Sequence, residues 1–284
     1  MNVLIVGYGY VARSIIRCLT KNERIKIYIL LRSSKKNQAL VVSQTKNLIF
    51  IYLPKNSIDQ EKVWCSQLPK FDTVINTAWY ADPQHYQSSY QNVESMNFAL
   101  NLLEICKTQK VKHFIGIGSC LEYTASESLI TKDMPLSPNN LYAASKIITY
   151  LALKKYFEET ETNFTWARLF YLFGDKQPST KLSGYLENSF KSKKQVILKN
   201  PFDILDFSHI DDIGVAISDL IEEPLRGPIN ICSGVGTSVY DLASYLAKQQ
   251  ALKADKFIKV NRNQSPIRRV VGVPDIQTPT YYDI

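Results

Sequence analysis

Residues 3–12 read Val3-Leu4-Ile5-Val6-Gly7-Tyr8-Gly9-Tyr10-Val11-Ala12, and this stretch decides the fold. It starts with a continuous apolar run, which is typical of a strand buried on both faces of a parallel sheet. A glycine turn follows and opens a helical pattern. Gly7 permits the tight turn, Gly9 lets the backbone approach a pyrophosphate, and Ala12 keeps the helix close to the strand. Because the N-terminal end of a helix attracts anions, the stretch predicts a dinucleotide-binding turn.

Short apolar runs alternate with amphipathic stretches over about the first 175 residues. The predicted strands are Val3–Val6, Lys26–Leu30, Leu48–Leu53, Thr73–Asn76, His113–Ile117 and Thr165–Phe173. The predicted helices are Val11–Leu19, Tyr90–Thr108 and Tyr142–Glu159. Alternation of this kind predicts an α/β fold, a doubly wound parallel sheet of the Rossmann type with right-handed crossovers.

The alternation loosens beyond Gly174. The later segments are a predicted helix at 182–191, strands at 195–198 and 228–232, and a helix at 239–252. We therefore predict a dinucleotide-binding domain over residues 1–174, to which 205–232 returns. Residues 175–204 and 233–284 are predicted to form a smaller C-terminal substrate domain.

The composition is that of a folded chain, since 45% of the 284 residues are apolar and 21% are charged. The net charge of +8 favours anionic partners, but the basic residues are scattered, which favours a phosphorylated small molecule over nucleic acid. No apolar run approaches the ~18 residues of a membrane helix and the chain starts directly on a strand, so we expect a cytoplasmic protein without membrane attachment. Five irregularly spaced cysteines indicate reduced thiols. The three histidines share no ligand spacing, so no metal site is predicted.

The end of the second predicted strand indicates which dinucleotide is bound. An NAD site carries a carboxylate there, which accepts hydrogen bonds from the ribose hydroxyls. This chain instead reads Leu30-Leu31-Arg32-Ser33-Ser34-Lys35-Lys36 and has no acid. Arg32 offers charge-assisted hydrogen bonds to a 2′-phosphate, with Ser33 and Lys36 as further donors. We therefore predict NADPH as the cofactor in preference to NAD(H); the alternative is a solvated basic turn.

A tyrosine and a lysine share one face of a predicted helix, in Tyr142-Ala143-Ala144-Ser145-Lys146. A phenol with a pKa near ~10 is a poor acid or base at neutral pH, and a nearby ammonium favours its phenolate. Ser119 follows a predicted strand, and the carboxyl ends of parallel strands are where open sheets bind ligands. Ser119, Tyr142 and Lys146 are therefore the predicted catalytic residues.

With these motifs the chain resembles the extended short-chain dehydrogenase/reductase family, also called the NAD-dependent epimerase/dehydratase family of nucleotide-sugar enzymes. The resemblance covers about residues 1–235, in the same order along the chain. Further matching segments are Tyr90–Val93 with Asn101–Glu104, Arg168–Gly174 and Asp206–Asp212.

The resemblance implies roles for particular residues. Tyr142 would exchange a proton with the substrate, Lys146 would tune the pKa of that tyrosine and anchor the ribose, and Ser119 would supply an orienting hydrogen bond. Thr77 and Ala78, after the fourth strand, would line the cofactor. In full, the predicted cofactor-binding residues are Gly7, Gly9, Tyr10, Val11, Arg32, Ser33, Lys36, Thr77, Ala78, Tyr142 and Lys146. A homodimer through the helices at 90–108 and 142–159 is also expected.

At several positions the sequence differs from the family's pattern, and these differences exclude some of the family's reactions. Dehydratases place an Asp-Glu pair directly after this serine, where the chain has Cys120 and Leu121, so dehydration is not expected. Epimerases of the fucose-synthase type need a cysteine and a histidine where Leu121 and Lys176 stand, so their acid and base are missing. The family's arginine before Asp206-Phe207 is Leu205 here.

Candidates for contacts with a nucleotide-diphosphate sugar lie near the predicted strand ends and in the smaller domain. They are Trp79, Ser119, Cys120, Tyr171, Lys181 and Arg268. Trp79 could stack on a sugar or a base, or could only seal the core. Lys181 and Arg268 could neutralise a diphosphate, or be ordinary exposed cations. For Cys120 the favoured interpretation is a small apolar filler.

These observations lead to one function hypothesis and two alternatives. The first is an NADPH-dependent reductase of a nucleotide-linked keto-deoxy sugar, with hydride transfer to a 4-keto carbon and Tyr142 as the proton donor. Such a reaction belongs to deoxysugar or surface polysaccharide biosynthesis. The alternatives are a nucleotide-sugar 4-epimerase with tightly bound NAD and a non-catalytic sensor of dinucleotides.

Overall fold

The computed structural model describes residues 1–32, 46–53, 68–124, 126, 128–260 and 266–281. The predicted cofactor residues Ser33 and Lys36 lie outside these ranges, as does Cys65, and only the backbone of Arg32 is described. The other cysteines are free thiols.

The described residues form fourteen strands and eight α-helices. The strands are β1 (Asn2–Val6), β2 (Lys26–Arg32), β3 (Leu48–Leu53), β4 (Thr73–Asn76), β5 (His113–Ser119), β6 (Asn163–Leu169), β7 (Tyr171–Phe173), β8 (Val196–Leu198), β9 (Ile204–His209), β10 (Gly227–Cys232), β11 (Gly236–Ser238), β12 (Ile258–Val260), β13 (Arg269–Val270) and β14 (Ile276–Gln277). The helices are α1 (Tyr10–Leu19), α2 (Gln91–Asn101), α3 (Leu103–Gln109), α4 (Leu141–Glu158), α5 (Leu182–Lys191), α6 (Ile210–Asp219), α7 (Val239–Gln249) and α8 (Ala254–Phe257).

The main sheet has eight strands in the order β14-β10-β6-β5-β4-β1-β2-β3, all paired in parallel. The strand order reverses direction between β1 and β4, which is the switch point where ligands bind in open α/β sheets. The predicted doubly wound α/β fold is therefore confirmed.

Helices cover both faces of the main sheet. On one face, α1 and α6 bury Ile15 and Ile213 against Ile5 and Ile27 of the central strands. On the other face, α2, α3 and α4 pack with Leu4, Phe114 and Trp166. Each inner strand is thus buried on both faces, which is why its sequence reads as a continuous apolar run.

A smaller region follows the main sheet and builds its own apolar core. Its four-stranded sheet pairs β11, β9 and β13 and adds β7 beside β9, while β8 and β12 form a separate pair. Helices α5 and α7 cover this region, with Phe190 and Leu242 packing on Leu205 and Phe207. The exact division of the chain into two domains stays a prediction.

Two predicted elements are each divided in two. The run at 165–173 was expected as one strand, but β6 belongs to the main sheet and β7 to the smaller one. Phe170 lies between them and packs with Cys120 and Ile130. The predicted helix at 90–108 is interrupted at Leu102, between α2 and α3. Apolar periodicity alone carries no signal for either change, because the apolar pattern continues across both breaks.

Among the described residues, no helix combines the length and apolar character that a bilayer crossing requires. Within the same ranges no group of His, Cys, Asp and Glu side chains is arranged to hold a metal ion.

Candidate active site

A cavity of about 1550 Å³ opens at the carboxyl ends of the central strands. One end is lined by the glycine turn after β1 together with Leu30 and Leu31 of β2. The other end reaches Leu198, Asn200 and Arg268 in the smaller region. Ser119 and Tyr142 lie on its wall as well. The cavity therefore joins the glycine turn, these two side chains and the smaller region.

The glycine turn is shaped for close approach by an anion. Gly7 has φ of +96°, and a Cβ there would lie 3.0 Å from Thr77 Oγ1 and 3.1 Å from the backbone of Ala78. A Cβ on Gly9 would meet nothing within 4 Å, so its open side faces free space. Helix α1 starts directly after Gly9, has no side-chain cap and carries no acid in its first turn. These features fit the pyrophosphate of a dinucleotide.

The other predicted cofactor residues after β1 and β4 also line the cavity. Tyr10 and Val11 do so at the start of α1, and the Tyr10 hydroxyl donates to the carbonyl of Gly174 at 2.8 Å. Thr77 Oγ1 donates to the carbonyl of Val6 at 2.8 Å, which holds the end of β4 against β1. Ala78 lines the cavity next to Thr77.

Ser119 and Tyr142 meet through their side chains. Ser119 is the last residue of β5 and Tyr142 is in the first turn of α4, where Asn140 caps the helix by accepting from the N–H of Ala143 at 2.9 Å. Burial raises the pKa of Tyr142, while its hydrogen bond with Ser119 acts in the opposite direction. The phenol is therefore a proton donor at neutral pH.

Lys146 lies one helical turn after Tyr142 and is only 4% exposed. Its Nζ donates to the carbonyl of Ile117 at 2.5 Å and lies 3.8 Å from the ring centroid of Trp79. Burial lowers the pKa of Lys146 to about 7, and the nearby carboxylate of Glu122 opposes that shift. Lys146 is thus poised to change charge near neutral pH.

A buried ion pair that was not predicted from the sequence lies behind Ser119. Glu122 accepts hydrogen bonds from the Ser119 N–H at 2.8 Å, from Trp166 Nε1 at 2.9 Å and from Arg168 Nε at 2.8 Å. The side chains of Glu122 and Arg168 are 0% and 1% exposed. A Cβ on Gly118 would collide with Trp166 and crowd Glu122. The only sequence signal was a glycine in a strand interior, which often marks close approach.

The predicted substrate residues lie around the same cavity. Trp79, Cys120, Tyr171, Lys181 and Arg268 all line it. Lys181 Nζ lies 4.4 Å from the ring centroid of Tyr86, and burial lowers its pKa. The Arg268 guanidinium lies 5.5 Å from the ring centroid of Tyr171 and pairs with Asp203 at 3.3 Å. Burial raises the pKa of the Cys120 thiol to about 12, so it is neutral at ordinary pH.

Part of the segment 206–212 stabilises the fold and does not line the cavity with polar groups. Asp206 is fully buried and accepts from the N–H groups of Ser233, Gly234 and Gly272 at 2.9 to 3.2 Å. The aspartates that follow, Asp211 and Asp212, lie in the first turn of α6 and do not cap it. His209 is the cap, since its Nδ1 accepts from the N–H of Asp211 at 3.3 Å. Asp211 instead pairs with Arg17 of α1, which it reaches from the first turn of α6.

The parallel sheet, the glycine turn at its switch point and the Ser-Tyr-Lys set together define a dinucleotide-binding protein of the Rossmann class. The chain belongs to the NAD dependent epimerase/dehydratase family, whose model matches residues 3–232. This confirms the resemblance seen in the sequence motifs and makes a nicotinamide dinucleotide the cofactor class.

Solved structures share the whole fold at low sequence identity. A UDP-N-acetylglucosamine 4-epimerase from Methanobrevibacter ruminantium is 19% identical, with a TM-score of 0.80 over 96% of this chain and 89% of that one. A dTDP-glucose 4,6-dehydratase from Streptomyces venezuelae is 17% identical, with a TM-score of 0.80 over 96% and 88%. A UDP-glucose 4-epimerase from Thermotoga maritima is 18% identical, with a TM-score of 0.78 over 97% and 90%. No curated protein matches the sequence.

Proposed function

We propose that the protein is an NADPH-dependent reductase of a nucleotide-linked keto-deoxy sugar and acts on a 4-keto carbon. The observation that carries this proposal is the pairing of the Ser119 and Tyr142 side chains on the cavity wall. The bound dinucleotide supplies the hydride for the carbonyl carbon. Tyr142 donates its proton to the carbonyl oxygen, and Ser119 holds that oxygen in place.

Elimination and carbon-acid epimerisation need an additional acid and base close to Ser119 and Tyr142. The described lining of the cavity does not supply such a pair. Its described lining contains no histidine, and its carboxylates are Asp82, Glu94 and Asp203. Glu122 is the acid nearest to Ser119 in the sequence, but it faces the core and is bound by Arg168. The Cys120 thiol is neutral and therefore a weak base.

A nucleotide diphosphate would bind at the far end of the cavity. Arg268 and Lys181 supply positive charge there, although Leu205 stands where the family has an additional arginine. Tyr171 and Trp79 offer aromatic faces for a sugar or a base. We therefore propose a nucleotide-diphosphate sugar as the substrate class.

The test is turnover by the purified protein with NADPH and a panel of UDP-, dTDP-, GDP- and CDP-linked 4-keto-6-deoxy sugars. We expect one of them to consume NADPH and give a single alcohol. Purified protein that carries stoichiometric bound NAD and interconverts 4-epimers would instead establish the epimerase. Tight NADPH binding with no turnover across the panel would favour the sensor.

The cofactor preference is testable without any sugar substrate. We predict that NADPH binds at least about tenfold more tightly than NADH at low salt, because a 2′-phosphate gains charge-assisted hydrogen bonds from Arg32. Leu31 lines the cavity at the end of β2 and has no polar atom that could accept hydrogen bonds from the ribose hydroxyls of NAD. Arg32→Ser should abolish the preference, while Arg24→Ser, at an exposed site outside the cavity, should leave it unchanged. Equal affinities in the wild-type protein would contradict this assignment.

The pKa values of Lys146 and Tyr142 predict how kcat depends on pH. We expect kcat for reduction to fall as pH rises through about 7, because Lys146 loses its proton there while Tyr142 keeps its own. Steady-state rates at saturating NADPH and substrate would give the profile. Lys146→Arg keeps its charge at all these pH values and should remove the decline. A wild-type rate that is flat across neutral pH would show that the charge on Lys146 does not matter.

A homodimer through α2, α3 and α4 remains our proposal for the assembly. Ile148 and Leu151 of α4 are 52% and 51% exposed, which is unusual for large apolar side chains. Sedimentation analysis should find a dimer that Leu151→Glu converts to a monomer. Val215→Glu changes a similarly exposed residue on α6 and serves as the control. A wild-type monomer would refute the proposal.

A further inference from the structure

The carboxyl end of β5 is held by two buried charges of opposite sign. Lys146 Nζ donates to the carbonyl of Ile117 at 2.5 Å, and the Glu122 carboxylate accepts from the N–H of Ser119 at 2.8 Å. The two charged side chains are 4% and 0% exposed. Gly118 lies between the two anchored residues, and a Cβ there would lie 2.8 Å from Glu122 Oε1. Because hydrogen bonds to ions are stronger than those between neutral groups, the backbone that ends in Ser119 is fixed from both sides.

Ser119 and Glu122 also hold each other across one turn. Cys120–Glu122 form a single 3₁₀ turn directly after β5. The Ser119 Oγ accepts from the N–H of Leu121 at 3.2 Å, while Glu122 reaches back to the N–H of Ser119. This reciprocal arrangement is a capping box, which fixes the backbone at both ends of the turn. The serine oxygen is therefore held beside the Tyr142 hydroxyl, with which it hydrogen-bonds.

The carboxylate of Glu122 is itself fixed by donors from β6. Its Oε2 accepts from Trp166 Nε1 at 2.9 Å and from Arg168 Nε at 2.8 Å, and both donor side chains are 1% exposed. Arg168 Nη1 also donates to the Tyr123 hydroxyl at 3.0 Å, and that hydroxyl donates to Asn230 Oδ1 at 2.6 Å. A continuous chain of buried bonds thus ties the predicted catalytic serine to β10.

Support of the fold alone is a weak reason for a buried ion pair. Apolar residues of similar volume often replace such a pair without loss of stability, because removing two charges from water is costly. The charge of Glu122 is instead placed on the N–H of the one serine that meets Tyr142.

We propose that Glu122 is a positioning residue that acts through Ser119, by fixing the turn that presents the serine hydroxyl to Tyr142. Glu122 has no exposed surface, so it acts without touching a ligand. This role rests on the proposed function, because its consequence is faster proton transfer by Tyr142 in the proposed reduction.

A comparison of two double variants tests this role. In Glu122→Gln with Arg168→Met neither buried charge remains, but the amide oxygen can still accept from the N–H of Ser119. In Glu122→Met with Arg168→Met that acceptor is lost as well. We expect kcat to be about 10²-fold lower for the Glu122→Met double variant than for the Glu122→Gln one, which is the usual cost of a misplaced catalytic group. Both should keep the wild-type Kd for NADPH, because the glycine turn is untouched.

Adding Ser119→Ala shows whether the effect passes through the serine. Without the serine hydroxyl, the two double variants should differ in kcat by less than about threefold, because nothing remains to be positioned. An undiminished difference would show that Glu122 supports the fold in general, and would overturn the inference. Asp206→Asn is the matched control, since Asp206 is also a fully buried acceptor of backbone N–H groups but lies on β9. Its effect on kcat should be the same with and without Ser119.

Amide hydrogen exchange provides a measurement that needs no substrate. The N–H of Ser119 should exchange at least about tenfold faster in the Glu122→Met double variant than in the Glu122→Gln one, as expected when one hydrogen bond is lost. The increase should be confined to residues 119–122. A general weakening of the fold would instead accelerate exchange throughout β5, and that result would count against a positioning role.

The outcomes separate this role from the proposed function. Equal kcat values for the two double variants overturn the role of Glu122 and leave the reductase proposal standing. If no keto sugar is reduced, the reductase proposal fails and exchange still decides whether Glu122 fixes the turn. If the Glu122→Met double variant does not fold, the wild-type protein decides, since a Ser119 N–H that exchanges as fast as those of exposed loops overturns the inference.

Discussion

Tyr142→Phe is expected to lower kcat for keto-sugar reduction by about 10²- to 10⁴-fold, which is the usual contribution of a positioned general acid. The change removes the hydroxyl that is hydrogen-bonded to Ser119 and leaves the ring in its aromatic surroundings. The Kd for NADPH should stay close to the wild-type value, because the glycine turn and the N-terminus of α1 are untouched. Single-turnover rates and calorimetry measure the two quantities separately.

Tyr86→Phe provides the matched control for this prediction. The Tyr86 ring packs edge-on against Tyr142 at 5.0 Å, and the substitution likewise removes one hydroxyl from the cavity wall. It should reduce kcat far less than Tyr142→Phe does. Comparable rates for Tyr142→Phe and the wild-type protein would mean that another group delivers the proton.

Arg168→Met is expected to lower the free energy of unfolding by about 3–5 kcal/mol, because it leaves a buried charge without its partner. Glu122 is 0% exposed, and Arg168 is its only partner of opposite charge among the described ion pairs. The loss would appear as a lower urea midpoint. Part of the stability should return in the double variant Glu122→Gln with Arg168→Met, since no unpaired charge then remains.

An exposed ion pair in the same region serves as the comparison. Lys132 pairs with Asp275 at 2.7 Å, with the lysine side chain 42% exposed. Lys132→Met should cost no more than about 1 kcal/mol, because solvent screens such pairs. If Arg168→Met proved equally mild, the buried pair would contribute little to stability, and Glu122 would have found other donors.

The main sheet could be predicted from sequence because its signals are local. Strands β1 to β5 are short, continuous apolar runs, and the glycine turn after β1 marks the start of α1. The change of sheet at Phe170 has no such signal, since apolar residues continue through it. Which sheet a buried strand joins depends on partners far along the chain, such as β9 for β7.

In the candidate site, too, some residues could be predicted from local sequence signals, and others depend on contacts between distant segments. Tyr142 and Lys146 are four residues apart on one helix, and Ser119 ends a strand, so spacing alone points to them. The contact of Trp79 with Lys146 and the pairing of Glu122 with Arg168 join distant segments of different elements. No periodicity relates such residues, and only the packed fold brings them together.

The path of the chain between the two sheets also limits how the protein can move. It passes from β6 to β7 through a single residue, Phe170, which is 5% exposed. It returns from β9 to the main sheet through α6 and leaves again for β11 across residues 233–235. Closure about a hinge needs a few connecting residues that bend freely, and these short, packed passages would resist bending together. The molecule should therefore unfold in one cooperative transition, and ligands should gain access through local loop motions, not through the opening of two lobes.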